Sequence, residues 1–114
     1  MKDRLPATEA TDALLVITTV DDEGVAAELA RELVEQRLAA CVHVLAPGRS
    51  VYRWEDKVEE AREHTLLLKT AAARYPALER WLRARHPYQT PEIIALPIRA
   101  GLPDYLDWIQ QCTR

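Results

Sequence analysis

The sequence contains few of the residues that mark several common classes of functional site. Its 3 glycines, Gly24, Gly48 and Gly101, are isolated, so the chain has no glycine-rich loop of the kind that holds a phosphate group. Its 2 cysteines, Cys41 and Cys112, lie far apart and outside any Cys-x-x-Cys spacing, so they cannot form a disulfide framework. The cysteine pattern fits a reducing compartment, which we expect to be the cytoplasm.

The chain also lacks an excess of positive charge and a long apolar run. Its 15 basic and 18 acidic residues give a formal charge of −3, which argues against nucleic acid or an anionic membrane as a partner. No apolar run precedes residue 13, so we predict neither a secretory signal nor a membrane anchor. We therefore expect a flexible N-terminal arm over residues 1–12 and a single domain over residues 13–114, a length that suits one core.

The first half of the chain alternates between strand and helix signals. Residues 13–20 form a short apolar, β-branched run that predicts a central strand buried on both faces. Asp21 or Asp22 can cap the following helix, in which apolar residues recur every four positions over about residues 23–36. The pattern predicts a strand followed by an amphipathic helix that packs against it.

Residues 41–70 predict a long β-hairpin. The first strand runs from Cys41 to Trp54 and is bent at Pro47-Gly48, the tip is Glu55-Asp56, and the second strand runs from Lys57 to Thr70. Local propensity conflicts with this interpretation, because residues 55–63 favour an exposed helix. A short hairpin followed by a helix is therefore the open alternative.

The second half completes an α+β pattern. Pro76 suits the first turn of a helix that ends near Arg85, residues 92–98 predict a strand, and Pro103 begins a short C-terminal helix. Pro97 places the last strand at a sheet edge or a bulge. The order β-α-β-β-α-β plus a terminal helix predicts a split βαβ arrangement, an antiparallel sheet with two helices on one face.

The predicted hairpin is too long for a domain of this size. Fourteen residues at about 3.3 Å each span roughly 46 Å, whereas a compact chain of this length has a radius of gyration of about 13 Å. The overhang would leave Tyr52, Trp54 and unpaired backbone groups in water. We therefore predict that the chain forms a homo-oligomer.

Most candidate chemical groups have an ordinary structural interpretation. Cys41 and His43 lie two apart on a strand and share a face, where they could bind a soft metal, but a small buried Cys41 with no third ligand is the favoured alternative. Glu59, Glu60 and Glu63, with Arg62 as a neighbouring charge, could serve acid-base chemistry if they lined a cleft, although such runs usually form a solvated face. No motif places a nucleophile, base and stabilising group together, so we expect no enzyme activity.

The segment His86-Pro87-Tyr88 has the strongest functional signal. It follows a predicted helix, and its proline would hold an imidazole and a phenol rigidly at one edge of the domain. Two interpretations stay open: His86 binds a ligand, or it interacts with the helix C-terminus while the prolines set the loop.

Three stretches of the sequence together resemble the CutA family of divalent-cation tolerance proteins. The resemblance covers residue 13 to the C-terminus and implies a ferredoxin-like fold, a cytoplasmic homotrimer joined through long hairpins, and a link to copper and other divalent ions. It also implies that residues 57–70 form a strand. The matching stretches are Leu38-Ala39-Ala40-Cys41, then Tyr52-Arg53-Trp54-Glu55-Asp56-Lys57 with Glu59, Glu63, Lys69 and Thr70, then His86-Pro87-Tyr88 with Pro91-Glu92.

The resemblance also implies positions for the functional residues. The assembly hairpin would include Tyr52, Trp54, Glu55 and Lys57. A cleft between subunits would contain Trp54, Glu63, Lys69 and Tyr88 together with His86, and would receive a metal ion or small ligand.

Two departures from the family pattern bear on metal binding. Where some members have a cysteine and a second histidine proposed as copper ligands, this chain has Thr18 and Arg85, which leaves His86 as the remaining candidate, with Cys41 a weaker one. A single imidazole is a weak copper site, so we expect no obligatory cofactor. The alternative function is a PII-like signalling module that binds a nucleotide or other anion between subunits, against which the absence of a glycine-rich loop speaks.

Overall fold

A computed structural model describes residues 11–114, so residues 1–10 of the predicted N-terminal arm lie outside the described part. None of the helices in this range is long and apolar enough to cross a membrane. In chain order the elements are β1 (Ala13–Val20), α1 (Glu23–Glu35), β2 (Cys41–Val44), β3 (Gly48–Trp54), β4 (Lys57–Ala71), a 3-10 turn (Ala72–Arg74), α2 (Tyr75–Arg85), β5 (Ile94–Pro97) and α3 (Pro103–Cys112).

The strands form one antiparallel sheet in the order β2-β4-β1-β5, and β3 continues the pairing along β4 beyond β2. This is the predicted split βαβ arrangement, with β2 and β3 together taking the place of the predicted second strand. The last strand is shorter than predicted, at Ile94–Pro97, and pairs with β1 alone among the described strands. Pro97 therefore lies on an edge strand, where a missing N–H costs little.

The main core lies between the sheet and the first two helices. Alternate residues of β1 and β4 point to this side, as the period of two in a strand requires. Burying each such side chain contributes about 1.5–3 kcal/mol. The central contributors are Val16 and Val20 of β1, Leu66 and Leu68 of β4, Leu29 and Leu33 of α1, and Leu78 and Leu82 of α2.

The third helix covers only one end of the opposite face of the sheet. Ile109 of α3 is fully buried against Ala13 and Ala40, and Leu106 packs at the margin of this small cluster. Within residues 11–114, most of that face therefore has no helix over it.

The two ends of α1 have well-defined caps. Asp22 accepts a hydrogen bond from the N–H of Val25 at 2.9 Å, as the sequence predicted for one of the two aspartates. At the other end Arg37 has a φ of 60°, and the N–H of Leu38 donates to the carbonyl of Leu33 at 2.9 Å. These bonds turn the chain sharply into β2.

The predicted single strand from Cys41 to Trp54 is two strands. Val44 faces Leu66 whereas Gly48 faces Glu63, so three residues of one strand lie opposite two of the other. The extra residue forms a bulge, and the proline within it has no N–H to donate to β4. The sequence correctly marked a bend here but missed that it interrupts the pairing.

A two-residue turn closes the hairpin. Glu55 and Asp56 have φ angles of 50° and 66°, and Trp54 pairs with Lys57 across them. Positive φ at both positions is the geometry of a type I′ turn, whose twist matches the strands on either side. The alternative of a helix over residues 55–63 is therefore wrong.

The hairpin of β3 and β4 extends beyond the rest of the domain. The longest dimension is 47 Å and the radius of gyration is 15.6 Å, larger than the roughly 13 Å of a compact chain of this length. Val51 and Val58 are 60% and 66% exposed, and Tyr52 and Trp54 are exposed as well. The overhang predicted from the sequence is therefore present.

Candidate functional site

His86 lies at the junction of α2 and the end of β1. Its backbone N–H donates to the carbonyl of Leu82 at 2.8 Å and closes the last turn of the helix. The side chain is 7% exposed, and Nε2 lies 2.9 Å from the carbonyl oxygen of Thr19. Because a carbonyl can only accept, Nε2 carries the hydrogen in this contact.

The second ring nitrogen of His86 is also occupied. Nδ1 accepts a hydrogen bond of 3.1 Å from the backbone N–H of Tyr88, which fixes the neutral form of the ring. Burial lowers the pKa of His86, and this effect outweighs the nearby carbonyl of Thr19 and the carboxylates of Glu63 and Asp21, which raise it. The imidazole thus acts here as a bridge between β1 and the turn after α2.

Tyr88 continues this arrangement to β4. Its hydroxyl donates to Oε2 of Glu63 at 2.6 Å, and its ring meets that of His86 edge-on, with centroids 4.8 Å apart. Burial, and then the hydrogen bond and negative charge of Glu63, raise the pKa of Tyr88 well above the usual value of a phenol. The structure thereby brings His86, Tyr88 and Glu63 together, with Asp21 nearby.

Two of the predicted cleft residues lie far from this group within one chain. Trp54 is paired with Lys57, which precedes Glu63 by six residues on β4, and Lys69 follows Glu63 by six residues. Six residues of strand span about 20 Å. Trp54 and Lys69 therefore reach His86 and Tyr88 only if another chain supplies them.

Cys41 and His43 share a face of β2, as their spacing predicted. Sγ of Cys41 lies 3.6 Å from the hydroxyl of Tyr105, and this contact, with burial, raises the pKa of Tyr105 to about 12. His43 is exposed. Within residues 11–114 no cluster of three His, Cys, Asp or Glu side chains could hold a metal ion.

The donor set around His86 fits a metal poorly in this conformation. A metal at His86 would have to displace the N–H of Tyr88 from Nδ1, since Nε2 is protonated. Thr18 is fully buried and its hydroxyl has no hydrogen-bond partner among the described residues. The guanidinium of Arg85 lies 4.5 Å above the ring of Trp81, with Nε 3.7 Å from Glu32.

Sequence reasoning missed a third histidine, His64. It is 9% exposed, and its Nδ1 donates to the carbonyl of Leu45 at 3.0 Å, within the bulge. The strand period offers one signal for it, because His64 shares the buried face of β4 with Leu66 and Leu68. The sequence has no signal for the two backbone carbonyls that hold these rings, that of Thr19 for His86 and that of Leu45 for His64.

Comparisons with known proteins agree with the fold. The profile of the family described as CutA1 divalent ion tolerance protein matches residues 14–112. The divalent-cation tolerance protein CutA of Thermus thermophilus is 46% identical over 99 residues, which cover 87% of this chain and 96% of that protein.

Solved structures give the same result. The crystal structure of CutA from Xylella fastidiosa superposes with a TM-score of 0.88 at 42% identity and covers 91% of this chain and 100% of that one. A structure from Archaeoglobus fulgidus, described as a periplasmic divalent cation tolerance protein CutA, has a TM-score of 0.86 at 34% identity and covers 90% and 99%. The chain therefore belongs to the CutA1 divalent ion tolerance family.

Proposed function

We propose that this protein is a non-enzymatic, cytoplasmic homotrimer that binds a divalent cation such as copper, or a small ligand, in a cleft between subunits. The domain would comprise residues 13–114, and the metal would be a ligand rather than an obligatory cofactor. The single observation that carries this proposal is an apolar sheet face that α1, α2 and α3 leave largely open.

The open face lies opposite α1 and α2. On β1, Ile17 faces Leu67 of β4 on one side and Ile94 of β5 on the other, and Leu15 faces Leu96. Ile94 and Leu96 are 48% and 43% exposed. A second copy of the chain is the natural occupant, because the same apolar residues would then be buried on both partners.

The hairpin supports the same proposal. The outer edge of β3 has no strand beside it within residues 11–114, so its backbone groups are open to another chain. Pairing there would cover Tyr52 and Trp54, with Glu55 and Lys57 at the tip. It would also carry Trp54 of one subunit toward the His86, Tyr88 and Glu63 group of the next, and a third subunit would close the ring.

For a metal ion, the carboxylate oxygens of the cleft are more accessible than its imidazole nitrogen. Glu63 holds a carboxylate whose Oε2 already accepts from Tyr88, so a cation would compete with that hydroxyl for it. Lys69 from another subunit would instead favour an anionic group on a ligand. Metal binding by His86 requires Nδ1 to release the backbone N–H of Tyr88, and binding by Cys41 requires its thiol to lose a proton. We therefore expect weak copper binding.

The assembly is tested by measuring mass in solution. Sedimentation equilibrium at micromolar concentration should give three times the 13.0 kDa of one chain. Replacing the two exposed residues of the open face, Ile94→Asp with Leu96→Asp, should shift the mass toward one chain. A wild-type protein that sediments as a monomer contradicts the proposal.

The ligand is tested separately. Calorimetric titration of the apo protein with Cu²⁺ and Zn²⁺ should show weak binding that His86→Ala reduces and His43→Ala does not. Binding that survives His86→Ala unchanged removes His86 from the site. A thermal-shift screen with nucleotides addresses the alternative of a PII-like module, because a ligand that prefers the native trimer raises its apparent stability.

The cytoplasmic location needs its own test, since one solved relative is described as periplasmic. Fractionation of cells that express the full chain from its own start should place it with cytoplasmic markers. Recovery with the periplasmic fraction overturns this part of the proposal alone.

A further inference from the structure

A groove of about 360 Å³ lies on the side of the sheet that carries α1, away from the open apolar face. Its walls are mainly apolar, with one imidazole and one carboxylate among them. The lining residues are Glu23, Ala27, Val44, Leu45, Ala46, Pro47 and His64. The size is that of a pocket for a small organic molecule.

The hydrogen bonding of His64 makes its second nitrogen an acceptor. Nδ1 donates to the carbonyl of Leu45 at 3.0 Å, so in the neutral ring Nε2 holds a lone pair. That nitrogen has no hydrogen-bond partner among residues 11–114, although the side chain is 9% exposed and lines the groove. A backbone carbonyl thus fixes one tautomer and leaves Nε2 as an acceptor on a side chain that lines the groove.

The charge of the groove favours a cation. Glu23, at the first position of α1, supplies a carboxylate at the rim, and Asp22 lies beside it in the chain. Within the described part of the chain, no lysine or arginine contributes to the lining. A positively charged ligand group that carries N–H donors could therefore donate to the imidazole and also pair with the carboxylate.

The apolar walls indicate that the cation is an organic one and not a metal ion. Val44, Leu45 and Pro47 offer surface that a hydrated ion cannot use, and two ligands from His64 and Glu23 are too few for a tight metal site. The geometry points to a binding site for a small organic cation, a primary ammonium on a short apolar body. The ammonium donates to Nε2 of His64 and pairs with Glu23, while the apolar body lies along the bulge.

The test compares two probes of the same size and shape at about pH 7.5. Benzylamine carries the ammonium, and benzyl alcohol replaces it with a neutral hydroxyl. In NMR titrations of the full chain, benzylamine should shift the signals of Ala27 and Leu45 saturably, with a dissociation constant on the order of 1 mM. Benzyl alcohol should bind at least about tenfold more weakly, because its hydroxyl has no charge to pair with the carboxylate.

Two variants locate the site. His64→Asn keeps a donor for the carbonyl of Leu45 but removes the acceptor at Nε2, and Glu23→Gln removes the charge at the rim. Each should weaken benzylamine binding about fivefold or more, whereas His43→Asn, on the opposite face, should not change it. If His64→Asn does not fold, the effect of Glu23→Gln on benzylamine binding decides whether the site is in this groove.

Three results would overturn the inference. The first is no saturable shift with benzylamine, and the second is equal binding of the two probes. The third is a Zn²⁺ response that depends on His64 while benzylamine has no effect, which would assign the groove to a metal. Because none of the lining residues belongs to the open apolar face or to β3, these results test the groove separately from the trimer.

Discussion

The hydroxyl of Tyr88 donates a hydrogen bond of 2.6 Å to Oε2 of Glu63, which joins the turn after α2 to the middle of β4. The same tyrosine holds the ring of His86 through its backbone N–H. One residue thus connects the helix, the hairpin and, through His86, the end of β1.

Removing the Tyr88 hydroxyl should destabilise the protein measurably. A hydrogen bond to a carboxylate is worth about 1.5–3 kcal/mol when buried, and partial exposure here reduces the expected loss for Tyr88→Phe to about 1 kcal/mol. Urea denaturation at fixed protein concentration measures it. Tyr75→Phe is the matched control, because its hydroxyl also donates to a carboxylate, Glu79, at 2.9 Å, but on an exposed helix surface. A loss for Tyr88→Phe no larger than that for Tyr75→Phe would show that the contact adds nothing to stability.

Protonation of His86 should weaken the folded state. Its folded pKa lies below the usual 6.5, so near this pH the unfolded chain binds more protons than the native one. Stability should therefore rise with pH up to about 6.5, and the contribution of His86 is lost as pH falls below that value toward the folded pKa. Protonation also puts a hydrogen on Nδ1, against the N–H of Tyr88.

Urea denaturation between about pH 5 and about pH 7.5 tests this dependence. His86→Gln should flatten the part of the profile below pH 6.5, whereas His43→Gln, at an exposed position, should leave the profile as in the wild type. Identical profiles for the wild type and His86→Gln would contradict the assignment.

The sequence predicted the elements well where short-range patterns decide them. The period of four in α1, the apolar run of β1 and the aspartate cap all follow from neighbours within a few residues. Residues 55–63 are different, since their helix propensity is overridden by the turn at Glu55 and Asp56 and by the pairing of residues 57–63 with β3. The bulge at residues 45–47 was missed for a related reason: it depends on the register of β4 and not on local preference.

The candidate site was predictable in its residues but not in its contacts. The sequence singled out His86, Tyr88 and Glu63, yet the partner that fixes the ring is a carbonyl at Thr19, a group that every residue has. Trp54 and Lys69 cannot be placed from a single chain, because about 20 Å of strand separates each of them from Glu63.

The turn at the hairpin tip should accept glycine with a gain in stability. Asp56 has a φ of 66°, a conformation that costs a residue with a β-carbon about 1 kcal/mol and glycine almost nothing. Asp56→Gly should therefore raise the free energy of unfolding by up to about 1 kcal/mol. Asp56→Ala is the control, because it removes the carboxylate and keeps the strain. If the two variants are equally stable, backbone strain at the tip is not the cause.

Two buried threonines on the same sheet should respond in opposite ways to replacement by valine. Thr18 and Thr70 are both fully buried, but the hydroxyl of Thr70 donates to the carbonyl of Leu38 at 2.7 Å, whereas that of Thr18 has no partner among the described residues. Thr70→Val should cost about 1–2 kcal/mol, since it breaks that bond and leaves the carbonyl without this donor. Thr18→Val removes a buried hydroxyl that makes no bond, so it should be neutral or stabilising by up to about 1 kcal/mol. Thermal and urea unfolding of the two variants measure the difference. If Thr18→Val loses as much stability as Thr70→Val, the Thr18 hydroxyl has a hydrogen-bond partner in solution. That outcome would reopen position 18 as part of a polar or metal-binding site.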